Sequence, residues 1–154
     1  MALNVQTLQD GLKDLFDSAP ATKALAAAGM ASAYAEYAAG GQFGTSSPEF
    51  TTQETALAAT ILGTGLVGTI AGFGTAWSSG LATFWAAVPV VGAQAGVTSP
   101  PVYPTLSAEL TAVLATYPET TESSASQIAA ILHAATQTVT ATVAPPPGTV
   151  LPIV

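Results

Sequence analysis

Few residues in this chain could do covalent or acid–base chemistry, and their spacing limits what they could do. His133 is the only histidine and lies in an apolar run of helical period over 128–136. An imidazole becomes a general base when a nucleophile and an orienting acid converge on it. Neither lies near it in sequence, so the expected place for His133 is a helix surface or boundary. Asp10, Asp14 and Asp17 recur at i, i+4 and i+7, which puts their carboxylates on one helical face. That spacing matches neither a calcium loop nor a convergent acid pair, and a solvated face is expected. Gly63-Thr64-Gly65-Leu66-Val67-Gly68 has the letters of a dinucleotide loop. Such a loop follows a strand and is answered by an acid about 20 residues on. Here the stretch falls inside a helical segment, and the next acid is Glu109. With no cysteine, thiolate metal sites, iron–sulfur clusters and disulfides are excluded. The residues point to no enzyme and to no catalytic, cofactor-binding or metal site.

Charge narrows the partners. The 154 residues hold two lysines, no arginine and nine carboxylates, for a formal charge of −7. Lys13 and Lys23 cannot neutralise a phosphate backbone, so direct nucleic-acid binding is not expected, nor is an anionic membrane surface. Charged residues are 7% of the chain, against about 25% in ordinary soluble domains. A surface so poor in charge is expected to be partly covered by other protein.

The elements that would position these residues are mostly helical. Val5, Leu8, Leu12, Leu15 and Phe16 keep helical spacing over 3–16, and a second helix is expected over 21–38, ending at Gly40-Gly41. Thr51 with Glu54 has capping-box spacing and opens a stretch without charge that runs from Thr55 to Ala108. Residues 56–88 are expected as a broken helix or a helical hairpin, with a kink at Trp77-Ser78-Ser79-Gly80. Gly92, Gly96, Pro100, Pro101 and Pro104 mark coil. Further helices are expected over 106–117 and from a second capping box at Ser124 and Gln127. Over 138–143 the period changes to alternating threonine and apolar residues, a half-buried strand. Pro145-Pro146-Pro147 then forces an extended tail. The predicted fold is mainly α: a helical core over 1–136, and a C-terminal strand and Pro-rich arm over 137–154.

Interaction residues follow from that plan. Gly68 and Gly72 keep the small-residue spacing that lets helix backbones approach. Trp77, Phe84 and Trp85 crowd three of eleven aromatics into nine positions, as a local core or as anchors for a partner. Val139, Ala141 and Val143 form a strand face that needs cover, and Val150, Leu151 and Ile153 are poor material for a solvated tail. With no second strand evident, this arm is expected to add to a neighbour's sheet, and its removal at Thr136 to leave the helical core folded. A competing possibility is a small membrane protein of holin-like type, since 56–77 is long enough to span a bilayer. Five glycines, four threonines and the lack of basic flanks weigh against it.

The run Leu81-Ala82-Thr83-Phe84-Trp85-Ala86-Ala87-Val88-Pro89, the helix over 127–135 and the strand over 138–143 leading into prolines resemble, as an arrangement, small Ala-rich virion proteins of tailed bacteriophages. The resemblance spans most of residues 20–152 and contains no catalytic motif. It implies a structural subunit of a tail, baseplate or neck, packed against copies of itself or other chains in a virion assembled in the host cytoplasm.

Overall fold

The computed structural model describes residues 2–66, 68–144 and 148–154. Helix α1 (Val5–Ser18) starts where Asn4 accepts a hydrogen bond from the Gln6 amide, and it buries Leu8 and Leu12. Helix α2 (Lys23–Ala39) is capped by Thr22 and buries a stripe that includes Met30, Tyr34 and Tyr37. Its alanines bring α1 close: a Cβ on Gly11 would lie 3.0 Å from that of Ala33.

The uncharged stretch breaks earlier than the sequence suggests. Helix α3 (Gln53–Thr60) passes into a π-turn over Ile61–Gly65, closed by Leu66 N–H donating to the Ile61 carbonyl. Helix α4 (Ile70–Phe84) then runs unbroken through the predicted kink at 77–80. A new N-cap fixes its start, because Thr69 Oγ1 accepts from the Gly72 amide. Neither predicted capping box forms. At α3 the Gln53 side chain accepts from the Thr51 and Thr52 amides, and Thr52 is the cap residue. Helix α6 (Thr121–Thr136) is capped four residues early, by Thr120 on the Ser123 amide. Between them lies α5 (Leu106–Ala115), which packs on α4.

The larger correction concerns β structure. The chain is not a mainly α bundle with one strand: it is an α+β fold with a five-stranded antiparallel sheet in the order β1-β2-β3-β4-β5. These are β1 (Ser46–Pro48), β2 (Pro89–Gly92), β3 (Ala95–Ser99), β4 (Thr140–Ala144) and β5 (Thr149–Pro152). The segment read as coil supplies β2 and β3, and the predicted lone strand is β4, paired on both sides. Gly96 belongs inside this sheet, where a Cβ would meet the Thr142 carbonyl and Val143. The sheet also curls. Gln42 and Val154 exchange amide–carbonyl hydrogen bonds of 3.0 and 2.9 Å, and Phe43 bridges both Ile153 and Ser46, so the two edge strands are joined through 42–43. The extended conformation expected of Pro145-Pro146-Pro147 lies outside the described residues.

One core links both layers. Trp77, Trp85, Tyr34, Tyr37, Phe43 and Phe84 are its largest fully buried side chains, and Val139, Ala141, Val143 and Ile153 belong to it. Thr98 of β3 ties the sheet to the end of α4, donating to the Trp85 carbonyl and accepting from the Val88 amide.

Candidate interaction surface

Pleating divides each strand between two environments. On β4, Ala141 and Val143 point into the core while Thr142 and Ala144 are exposed. On β2, Val90 is buried and Val91 is 47% exposed; on β3, Thr98 is buried and Val97 is 49% exposed. On β5, Val150 faces outward at 58%, followed by exposed Pro152 and, beyond the strand, Val154. The register aligns these positions: Pro89 pairs with Val97, Val97 with Thr142, and Thr142 with Val150. A row of uncharged side chains therefore crosses four strands, with Val91 beside it. Strands β2 and β3 lie in the uncharged stretch 55–108, and β4 and β5 lie beyond Glu122, the last acid in the sequence. All nine carboxylates fall outside these four strands.

Of the eleven interaction residues expected from sequence, few reach solvent. Trp77, Phe84, Trp85, Val139, Ala141, Val143 and Ile153 are buried in the chain's own core, so none is an exposed anchor. Val150 is exposed, Leu151 is half-buried, and β5 docks on β4 of the same chain. Gly68 is exposed and a Cβ there would meet nothing within 4 Å, so it makes no close helix contact. Gly72 does: its Cβ would lie 2.8 Å from the Thr64 carbonyl. Sequence reasoning gives no interface role to Val91, Val97, Thr142 or Pro152. For β4 the signal was present, since the threonines of an alternating strand must face somewhere. For Val97 it was hidden by its glycine- and proline-rich surroundings.

Buried polar groups form a separate constellation. Trp85 Nε1–H donates to Tyr34 Oη at 2.8 Å, and Tyr34 Oη lies 2.7 Å from Thr136 Oγ1. Thr136 donates onward to the Leu132 carbonyl, which orients the Tyr34 hydroxyl proton toward Thr136. Burial pushes the Tyr34 phenol up to about 12, and burial likewise holds Tyr37 well above its ordinary value. Tyr37 Oη lies 2.6 Å from His133 Nδ1, whose pKa burial lowers. Phenol and imidazole are both held neutral, and the tautomer of the ring sets which of them donates. Such groups tie α2, α4 and α6 together; a phenol this reluctant to ionise is a poor nucleophile or base. Trp77 Nε1 is buried with no acceptor among the described residues, at a cost of about 1–3 kcal/mol.

Among the described residues no group of three or more His, Asp or Glu is placed to hold a metal ion, and no helix is long and apolar enough to cross a membrane. The fold and this surface define an α+β domain with an uncharged sheet exterior. No family model, curated protein or solved structure matches the chain.

Proposed function

We propose that this chain is a non-enzymatic structural subunit that joins a multi-protein assembly through the exterior of its sheet. The observation that carries the reading is the aligned row Pro89, Val97, Thr142 and Val150, with Val91 also exposed on the uncharged strand β2. A sheet face of valine and threonine packs well against a second apolar surface about 10 Å away. Fully burying a valine contributes roughly 1.5–3 kcal/mol, so covering these half-exposed ones contributes about 1 kcal/mol each. Contact is through side chains rather than strand addition, because the hydrogen bonds at 42–43 and 153–154 join the sheet's edges. The particle we propose is a tailed-phage virion, with the subunit in its tail, baseplate or neck. Support for that placement is the arrangement of segments alone, and mass spectrometry of purified particles tests it. The sheet reading is tested with Val97→Glu. That position is outward, so the variant should fold with an unchanged far-ultraviolet spectrum yet fail to enter the assembly. Normal incorporation of Val97→Glu would overturn it.

A further inference from the structure

Strand β5 is held by a short set of contacts. It pairs with β4 from Thr140↔Pro152 to Val143↔Thr149. Just past it, Ile153 N–H donates to the Val139 carbonyl, and Val154 exchanges hydrogen bonds with Gln42. The Ile153 side chain is buried beside Gly41, where an added Cβ would run into it. The seat of residues 149–154 is thus one edge of β4, the 41–43 segment and an apolar slot for Ile153.

The connection leading into this seat works against it. Val143 pairs with Thr149, so the chain reverses within Ala144-Pro145-Pro146-Pro147-Gly148. Gly148, at φ 83°, supplies a left-handed turn residue. The residues before it have the opposite preference. Ala144, Pro145 and Pro146 each precede a proline, which biases all three toward extended backbone, and a run of prolines favours the extended polyproline form. Short hairpin connections normally use residues such as Asn-Gly instead. Local preference and hairpin therefore disagree at this one connection.

We propose that β5 is exchanged between two copies of this chain, residues 149–154 of each filling the seat on the other. The occupant is fixed by the fold itself, since the segment that fits this register and this slot is β5. Exchange keeps every hydrogen bond of the seat, leaves each sheet five-stranded with its edges joined, and lets residues 144–148 run extended. At a rise of about 3.1 Å per residue, the four steps from 144 to 148 span about 12 Å. The two bodies therefore lie close, and exchange is reciprocal about a two-fold axis. The inference is independent of the sheet-exterior reading, and either can fail alone.

The test uses the full chain, refolded at millimolar concentration, because a strand on a short linker competes for its own seat at an effective concentration of that order. A dimer separable by size exclusion is expected, and it should persist on dilution, since release requires Ile153 to leave the core. The chain has no cysteine, so the double variant Thr142→Cys, Val150→Cys reports which chain supplies β5. These positions are paired across β4 and β5 and exposed, at a separation that suits a disulfide. After oxidation, the dimer fraction should run as a covalent dimer on a denaturing, non-reducing gel, and the monomer fraction as a monomer. The triple variant Pro145→Ser, Pro146→Asn, Pro147→Gly, which eases the turn, should lower the wild-type dimer fraction about tenfold, the effect of about 1.4 kcal/mol. Val97→Glu, which spares β5 and its connection, should exchange as the wild type does, and this separates exchange from contact through the sheet exterior. The proposal is overturned if no dimer forms, if the oxidised dimer fraction runs as a monomer, or if the triple variant dimerises as fully as the wild type.

Discussion

His133 couples pH to folding although it stands in no catalytic arrangement. It is partly buried, its Nδ1 is hydrogen-bonded to Tyr37 Oη, and burial lowers its pKa below the usual 6.5. The unfolded chain thus takes up this proton at higher pH than the folded one. Stability from this group is fully present above the unfolded value and is lost as pH falls through the folded value. Thermal unfolding should show a midpoint that drops between pH 7 and pH 5.5, a window above the ordinary range of carboxylates. His133→Asn, which keeps a hydrogen-bonding group near the Nδ1 position, should flatten the curve; an equal slope in the variant would show that another group titrates. The sequence puts His133 on a helix surface or boundary, and the structure has it partly buried in the last turn of α6, but its partner lies 96 residues away on α2 and is invisible in local spacing. The same limit applies to Trp77, Phe84 and Trp85. Their crowding indicates burial, yet apolarity reads alike for a chain's own core and for a partner's pocket.

Helices and strands differ in how much they declare themselves. The periods of α1, α2, α5 and α6 are local properties, so they can be read directly, and caps shift their ends by only a few residues. A short strand takes its stability from partners distant in sequence, and Ala95-Gly96-Val97-Thr98-Ser99 carries a glycine where β4 comes close. Glycine was read as coil punctuation there, when it marks backbone contact. The glycines can be sorted experimentally. Gly96→Ala should cost about 1–3 kcal/mol, since its Cβ would collide with the Thr142 carbonyl and the Val143 backbone. Gly63→Ala, in the π-turn, meets nothing within 4 Å and has no positive φ. It should stabilise the chain by about 0.4–1 kcal/mol through the unfolded state. Urea denaturation of both variants reads the two signs, and a stabilising Gly96→Ala would contradict the β3–β4 register.

For the whole molecule, what matters is whether residues 137–154 are an appendage or part of the body. Read in sequence, the alternating threonines and the late prolines suggest an arm awaiting a neighbour, removable without unfolding the helical core though not without loss of assembly. In the structure β4 lies between β3 and β5, and Ile153 donates its amide to the Val139 carbonyl. Residues 153–154 pair with 42–43 to draw the sheet closed around Phe43 and Trp85, both fully buried. Cutting the chain after Thr136 therefore removes the partner of β3 and the buried side chains of Val139, Val143 and Ile153. At about 1.5–3 kcal/mol for each large apolar residue, the loss is roughly 5–9 kcal/mol. That is comparable to the whole stability of a typical domain, about 5–15 kcal/mol. Thr98 would also lie on an open edge, leaving its links to Trp85 and Val88 exposed to water. The truncated chain should consequently lose its near-ultraviolet aromatic signal and its cooperative thermal transition while keeping some far-ultraviolet helical signal. A sharp transition near that of the full chain would mean that the helices hold Trp85 without the sheet, and that residues 137–154 are an arm after all.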